Sequence, residues 1–321
     1  MNFHFSSQAK KNISDFLNLT LILIIGGVLI SLLGRYHWFF NLFDQFWSLY
    51  LVVSAILLLV FLFFKKNAHG FISLCVFIVC ASVFYKVDSH SNLKFNSSFK
   101  IYYQNINSSN SSLTELSQNI KKADVEIVTL VEATPEIENV ITRNLRDYSN
   151  HFSLARDDNF GFLILSKINF KLEEIHERIG IPVYIKFFVE KYNMKIYLLH
   201  LPPPLWREAW ETQKETLALI AREINRNKNQ SFLMIGDFNM TTSSSQFQDF
   251  YRQLNPKFYS QELFSPGTWP SFMPGYLSLP IDHVLSNRNF EMEIGIAAGS
   301  DHKSIVVRIG AITNFGQKKA Q

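Results

Sequence analysis

Three stretches of the chain carry no Lys, Arg, Asp or Glu, and they constrain its folding more than any other feature. Phe16–Gly34, Trp47–Phe64 and Ala68–Tyr85 hold 19, 18 and 18 residues, with His69 at the edge of the third. As helices rising 1.5 Å per residue they would extend roughly 27–29 Å, close to the thickness of a bilayer's hydrocarbon core. Helices of soluble proteins normally keep one polar stripe, and these runs have none. They read as three transmembrane helices, about 16–34, 47–64 and 68–85, within a membrane anchor over 1–88. The first run is longer than the apolar core of a signal peptide, and Leu32–His37 supplies no small-residue cleavage site. It therefore reads as uncleaved.

Charge sets the orientation and excludes several classes. Lys10 and Lys11 precede the first run and Lys65 and Lys66 follow the second, so both pairs belong on the cytoplasmic side. Three crossings then put everything after residue 86 outside, as in a multi-pass inner-membrane protein with a periplasmic or extracellular domain. Tyr36, Trp38, Trp47, Tyr50 and Tyr85 lie near the run ends, as interfacial aromatics do. Cys75 and Cys80 are five residues apart on one helix and do not pair. Residues 1–88 hold nine charges, net +3, and the other 233 residues hold 49, net +1. This division excludes a single soluble domain, a disordered chain and a disulfide-stapled miniprotein. It gives little support to a strongly basic nucleic-acid binder.

Residues 89–98 read as a short polar linker, 99–310 as one domain and 311–321 as a flexible tail. Within the domain, apolar runs predict strands at 100–104, 126–131, 162–165, 171–176, 183–189, 195–199, 232–235, 281–285, 291–296 and 304–309. Periodic amphipathic segments predict helices at 113–121, 135–145, 207–225 and 245–254. The strands between 162 and 199 have no helix among them, so part of the sheet is antiparallel, and the domain is mixed α/β with helices outside packed sheets.

Polar residues punctuate the ends of these strands. Asn105, Glu132, His200 and the pair Asp237/Asn239 each follow an apolar run; Asp282 interrupts another, and Asp301 and His302 precede the last. Loop residues gathered at one sheet edge carry function. Carboxylate and amide oxygens suit a hard cation such as Mg²⁺, which neutralises charge on a phosphoryl oxygen. Asp282 is suited to orient His302. His283, on the opposite face of its strand, reads as structural.

In order, Asn105, Glu132, His200, Gly236-Asp237-Phe238-Asn239, Thr268-Trp269, Ile281-Asp282-His283 and Ser300-Asp301-His302 resemble the endonuclease/exonuclease/phosphatase superfamily, and in particular a membrane-anchored bacterial branch. The resemblance covers about residues 99–309. It implies a four-layer sandwich of two mixed β-sheets flanked by helices, here preceded by the three transmembrane helices. It also implies Mg²⁺ or Mn²⁺ held by Glu132 with Asn105 and Asp301. Asp237 would activate the attacking water, Asn239 and His200 would bind the scissile phosphate, and His302 would pair with Asp282. Gly161 and Ser166 match an internal strand motif and read as structural. The first motif departs from the family in placing Gln104 before the asparagine.

The segment His200–Trp210 is stiffened by three prolines. Its Trp206 and Trp210 read as a staple holding the following helix, with a substrate wall as the alternative. Arg207, Thr268 and Trp269 are substrate-binding candidates. The expected activity is therefore that of a membrane-tethered, divalent-metal-dependent phosphodiester hydrolase. Its substrate would be nucleic acid or phospholipid, the bilayer would be contacted through the three helices, and no protein partner is inferable. The alternatives are a phosphomonoesterase and a non-catalytic binding module or receptor on the same fold.

Overall fold

The computed structural model describes residues 6–84, 98–254, 259–260 and 266–310. Tyr85, most of the expected linker (89–97) and the expected tail (311–321) lie outside the described residues. The chain divides into two compact units. One comprises Met1–Val87, Pro204–Arg207 and Thr241–Asp249, and the other comprises Asp88–Pro203, Glu208–Met240 and Phe250–Gln321.

The first unit contains α1 (Ser7–Ser31), α2 (Trp38–Asp44), α3 (Trp47–Phe63) and α4 (Asn67–Phe84). α1 begins nine residues before the apolar run, because the Ser6 hydroxyl accepts from Ala9 N at 3.2 Å and caps it. The expectation of three spanning helices is corrected here. Among the described residues only α1 is by itself long and apolar enough to cross a membrane; α2 and α3 qualify only as one bent pair, with a 50° angle, and α4 is apolar but shorter. The second apolar run stops early because Phe64 leaves helical geometry and Lys65 adopts a left-handed φ of 55°.

The stretch between the first two runs forms a helix whose polar side is buried rather than a simple loop. Asp44 accepts from Asn41 Nδ2 at 3.2 Å and from Ser245 N at 2.9 Å. Gln45 Oε1 accepts from Thr241 N at 2.8 Å, and Arg35 Nε pairs with Asp249 at 3.0 Å. Arg35 and Asp44, the two charges between the first two apolar runs, thus each find a partner in the 241–249 segment. Cys75 and Cys80 are free, as expected.

The second unit runs, in order, through β1 (Ser98–Asn105), α5 (Leu113–Ala123), β2 (Ile127–Val131), α6 (Pro135–Asn144), β3 (Asn150–Leu154), β4 (Phe162–Ser166), β5 (Lys171–Arg178), β6 (Ile181–Val189), β7 (Met194–His200), α7 (Arg207–Arg226), β8 (Ser231–Asp237), α8 (Ser245–Gln253), β9 (Tyr259–Ser260), β10 (Asp282–Ser286), β11 (Phe290–Ile294) and β12 (Ile305–Gly310), with α7 and α8 beginning in segments of the first unit. Two six-stranded sheets result, ordered β11-β12-β1-β2-β4-β3 and β5-β6-β7-β8-β10-β9. β1 and β2 are parallel across α5, β7 and β8 are parallel across α7, and the other named pairs are antiparallel. The expected α/β fold with two mixed sheets is therefore present. β3, an edge strand, offers only Phe152 and Leu154 in alternation, too short a pattern to announce it.

Alternation along β1 shows how the layers form. Phe99, Ile101 and Tyr103 enter a core between the sheets with Ile185, Leu198, Ile235 and Val284. Tyr102 faces the other way, into a core with Leu116 and Ile120 of α5 and Ile137 and Ile141 of α6. Burial of both faces explains why these strands are almost continuously apolar. The C-terminal ends of β1, β2, β7 and β8 carry Asn105, Glu132, His200 and Asp237. The antiparallel partners β10 and β12 begin beside them, with Asp282 opposite Asp237 and Ile305 opposite Tyr103.

Candidate active site

The strand ends bring eight of the expected residues together. Asn105 Nδ2 donates to Glu132 Oε1 at 2.8 Å and to Asp237 Oδ2 at 3.1 Å. His200 Nε2 lies 3.8 Å from Glu132 Oε1 and 3.9 Å from Asp237 Oδ2. His302 Nε2 lies 3.8 Å from the same Asp237 oxygen, and its Nδ1 is 2.8 Å from Asp282 Oδ2. Asp237 therefore faces an amide and two imidazoles. Asn239 N donates to Asp237 Oδ1 at 2.8 Å, while Asn239 Nδ2 donates to Leu201 O at 2.8 Å. Asp301 accepts from Asn107 Nδ2 at 3.0 Å and from Trp269 Nε1 at 2.9 Å.

Local backbone geometry sets these directions. Glu132 has φ +64°, Asn239 +50° and Asn107 +58°. Asparagine tolerates this region, but for other L-residues it costs about 1–2 kcal/mol. Glu132 is held there by Asn105 and by Ser108 N, which donates to Glu132 Oε2 at 3.2 Å. Gly236 precedes Asp237 because a Cβ at that position would meet the Leu199 carbonyl of the adjacent strand.

Burial and neighbouring charge separate the protonation behaviour of the two histidines. For His302, burial alone would lower the pKa; the Asp282 carboxylate outweighs it and holds the imidazole up at about 10. His200 is pulled down to about 3, first by burial and then by the positive charge of His302. Burial raises Asp237, and the Asp282 charge adds to the rise. Burial would raise Asp282 too, but His302 holds it below the usual carboxylate range. Glu132 is raised chiefly by burial, against the hydrogen bonds from Asn105 and Ser108.

The donor set suits a hard cation. Glu132 and Asp237 are two carboxylates bridged by one amide, both pushed toward protonation, which is the situation a divalent ion relieves. His200 Nδ1 is buried without a hydrogen-bond partner. Asp237, Asp282 and His302 also place ligand atoms within 4.8 Å of one another, but Asp282 is already engaged by His302 and Tyr103.

The remaining candidates divide. Thr268 is fully buried, and its carbonyl accepts from Lys303 N at 3.0 Å. Trp269, 36% exposed, is fastened to Asp301. Arg207 is exposed at the start of α7 and belongs to the first unit, and Trp206 is 43% exposed. Trp210 alone of the two tryptophans packs inward. His283 is buried with Nε2 2.7 Å from Met240 O, in keeping with a structural residue. Gly161 and Ser166 are likewise structural: a Cβ at Gly161 would meet the Ala133 carbonyl, and Ser166 Oγ donates to Ile168 O at 2.6 Å.

Two residues of the site have no distinct signal in the sequence. Tyr103 sends its hydroxyl across the inter-sheet core to Asp282 Oδ1 at 2.8 Å. Asn107, two positions beyond Asn105, holds Asp301. A tyrosine in an apolar strand looks like core, and an asparagine before Ser108 and Ser109 looks like a turn; only alternation toward the Asn105 end of β1 hints at either.

Two packed mixed sheets with a buried Asn/Glu/Asp/His cluster at one edge define the class of phosphoester hydrolases. The sequence model of the Endonuclease/Exonuclease/phosphatase family matches residues 103–302, and the chain belongs to that family, whose members are phosphoesterases. No curated protein matches the chain. Among solved structures, a humanized D. rerio TDP2 is similar, with 15% identity and TM-score 0.53, covering 67% of this chain and 99% of that one. An endonuclease/exonuclease/phosphatase family protein from Bacteroides thetaiotaomicron aligns at 14% identity and TM-score 0.52, covering 66% and 97%. A mannosyl-6-phosphatase from Bacteroides thetaiotaomicron VPI-5482 aligns at 16% and 0.50, covering 66% and 99%. At these identities the likeness is one of fold.

Proposed function

We propose that this chain is a membrane-anchored, divalent-cation-dependent phosphodiester hydrolase. The observation that carries the reading is one buried carboxylate, Asp237, within 4 Å of both His200 and His302, with His302 bound to Asp282 at 2.8 Å.

Asp237 takes the proton of the attacking water as the water oxygen bonds to phosphorus and the P–O bond to the leaving group breaks, the leaving oxygen being protonated from solvent; the raised proton affinity of Asp237 suits that role. His302, kept charged by Asp282, neutralises charge growing on the phosphoryl oxygens. His200 Nε2 and the Asn239 amide contact the phosphate, with Asn239 exchanging its bond to Leu201 O for one to substrate. Glu132, with Asn105 and Asp301, would hold Mg²⁺ or Mn²⁺. When bound, the cation supplies further charge neutralisation on the phosphate. Trp269 forms a wall beside Asp301.

Substrate class rests on weaker supports. A D. rerio TDP2 similar in fold was solved with a single-strand DNA product, which favours nucleic acid. Exposed Trp269, Phe272 and Leu277 on one segment favour a substrate with an apolar part, such as a phospholipid. For location, α1 as the one crossing, with Lys10 and Lys11 on the inner side, would make an inner-membrane anchor with the catalytic domain outside.

The test uses the full chain in detergent with Mg²⁺ or Mn²⁺. It is assayed on bis-p-nitrophenyl phosphate, p-nitrophenyl phosphate, single-stranded DNA and phosphatidylcholine vesicles. Turnover of a diester that is lost in Asp237→Ala and His302→Ala supports the reading. Turnover of the monoester alone replaces it with a phosphatase. No turnover of any substrate leaves the binding-module alternative. A periplasm-active reporter fused after Gly310 reads the side of the membrane.

A further inference from the structure

β1 reaches the His302–Asp282 pair from both of its faces. From the inner face, Tyr103 binds Asp282 directly. From the outer face, Gln104 reaches the loop that carries His302. Gln104 is fully buried. Its Nε2 donates to Ala297 O at 2.5 Å and to His302 O at 3.0 Å, and its Oε1 accepts from the Tyr102 hydroxyl at 2.6 Å. That hydroxyl in turn accepts from Asn119 Nδ2 of α5 at 3.1 Å. The amide orientation is fixed by this arrangement, because a turned amide would set its oxygen against two carbonyls.

The loop from Ile296 to Ser304 needs such a tie. It holds Asp301 and His302 with few backbone bonds of its own: Gly295 N to Ser304 O at 2.8 Å and Ser304 N to Ile296 O at 3.1 Å close its base, and Ser300 N binds Ala297 O at 3.0 Å within it. Ser300 Oγ, which donates to Asn105 O at 2.7 Å and accepts from His302 N at 3.0 Å, fixes one side. Beyond that base, Gln104 ties the two limbs through one side chain, to Ala297 before the turn and to His302 after it. An apolar residue at position 104 would remove the side-chain donor to His302 O and one of two donors to Ala297 O, which also accepts from Ser300 N at 3.0 Å; loss of a partner by a buried carbonyl is costly. This accounts for a glutamine where the strand is otherwise apolar or aromatic.

We propose that Gln104 is a positioning residue for His302, acting on turnover through the loop it clamps and not through contact with substrate. The proposal rests on the phosphodiesterase reading for its kinetic consequence. Three measurements on the full chain in detergent test it: steady-state kinetics on bis-p-nitrophenyl phosphate, thermal unfolding, and hydrogen exchange of peptides covering 297–304. Gln104→Met keeps the volume and removes both donors. The expected result is a fall in kcat of tenfold or more with KM within twofold, faster exchange confined to 297–304, and a cooperative unfolding transition still above the assay temperature. Wild-type kcat in the folded variant, a loss carried by KM, or unchanged exchange at 297–304 would overturn it. If Gln104→Met does not fold, Tyr102→Phe decides, since it removes only the hydroxyl that fixes Oε1. The same pattern at threefold or more supports the proposal, and wild-type kcat overturns it. A wild-type chain that does not hydrolyse the diester strikes the function reading alone, because the exchange comparison still reports whether Gln104 holds the loop.

Discussion

His302 Nδ1 meets Asp282 Oδ2 at 2.8 Å, joining a loop of one sheet to a strand of the other. Two sheets packed face to face thus share one ion pair at the edge where the phosphate is proposed to bind. Removing either partner leaves the other buried without its counter-charge. His302→Ala and Asp282→Asn should each lower kcat by about 10²–10³, the range for removing a group that stabilises developing charge. Steady-state kinetics on a chromogenic diester, with unfolding curves confirming a folded protein, checks this.

Tyr103 carries the second bond to Asp282. Tyr103→Phe deletes that hydroxyl and keeps the ring in the core. A hydrogen bond to a charged group contributes about 1.5–3 kcal/mol. The denaturation midpoint should fall by the corresponding amount with an unchanged slope, and a midpoint equal to wild type would mean that Asp282 is satisfied without it.

Opposite shifts in the two histidines predict a stability optimum near neutrality in chelator-treated protein. His302 sits at about 10 when folded, above its ordinary value, so its contribution is full below about 6.5 and lost as pH rises through 10. His200 sits at about 3, below its ordinary value, so its contribution is present above about 6.5 and lost as pH falls toward 3. His302→Ala should flatten the alkaline limb of a melting-temperature profile, and His200→Gln the acid limb.

Cation binding should stabilise the fold as well as permit turnover. Mg²⁺ or Mn²⁺ added to chelator-treated protein should raise the melting temperature by mass action and restore hydrolysis. In Glu132→Gln the shift should shrink or vanish at the same cation concentration. A full shift in that variant would move the ion away from Glu132.

Asp44 caps α8 from elsewhere in the chain by accepting from Ser245 N. Loss of an N-terminal cap costs about 0.5–2 kcal/mol. Asp44→Ala should therefore speed proteolysis within 241–253 in the full chain, while Asp15→Ala, on α1, should not.

Much of this was legible in one dimension. The strand-ending residues stood out because polar side chains interrupt apolar runs, and the four helices of the domain followed from amphipathic spacing. Gly236 was visible as part of a motif, although its reason, the Leu199 carbonyl, was not. Tyr103, Asn107 and Gln104 were hidden, since a residue's partner across a sheet sandwich has no sequence separation to betray it. Gln104 was visible only as a departure from a family pattern.

By itself the sequence determined the apolar N-terminal segments, the mixed α/β class and the identity of the polar strand ends, because periodicity and burial are local properties. Tertiary structure decided the rest. The bend between α2 and α3 and the end of helix α3 at Phe63 left, among the described residues, one helix fit to span alone, and the 241–249 segment joined the N-terminal unit through Asp44 and Gln45. Only the closing of two sheets on one another put Asp237, His200 and His302 within 4 Å, where burial and mutual charge set their protonation. Those quantities depend on distances between residues far apart in the chain, and no local pattern encodes them.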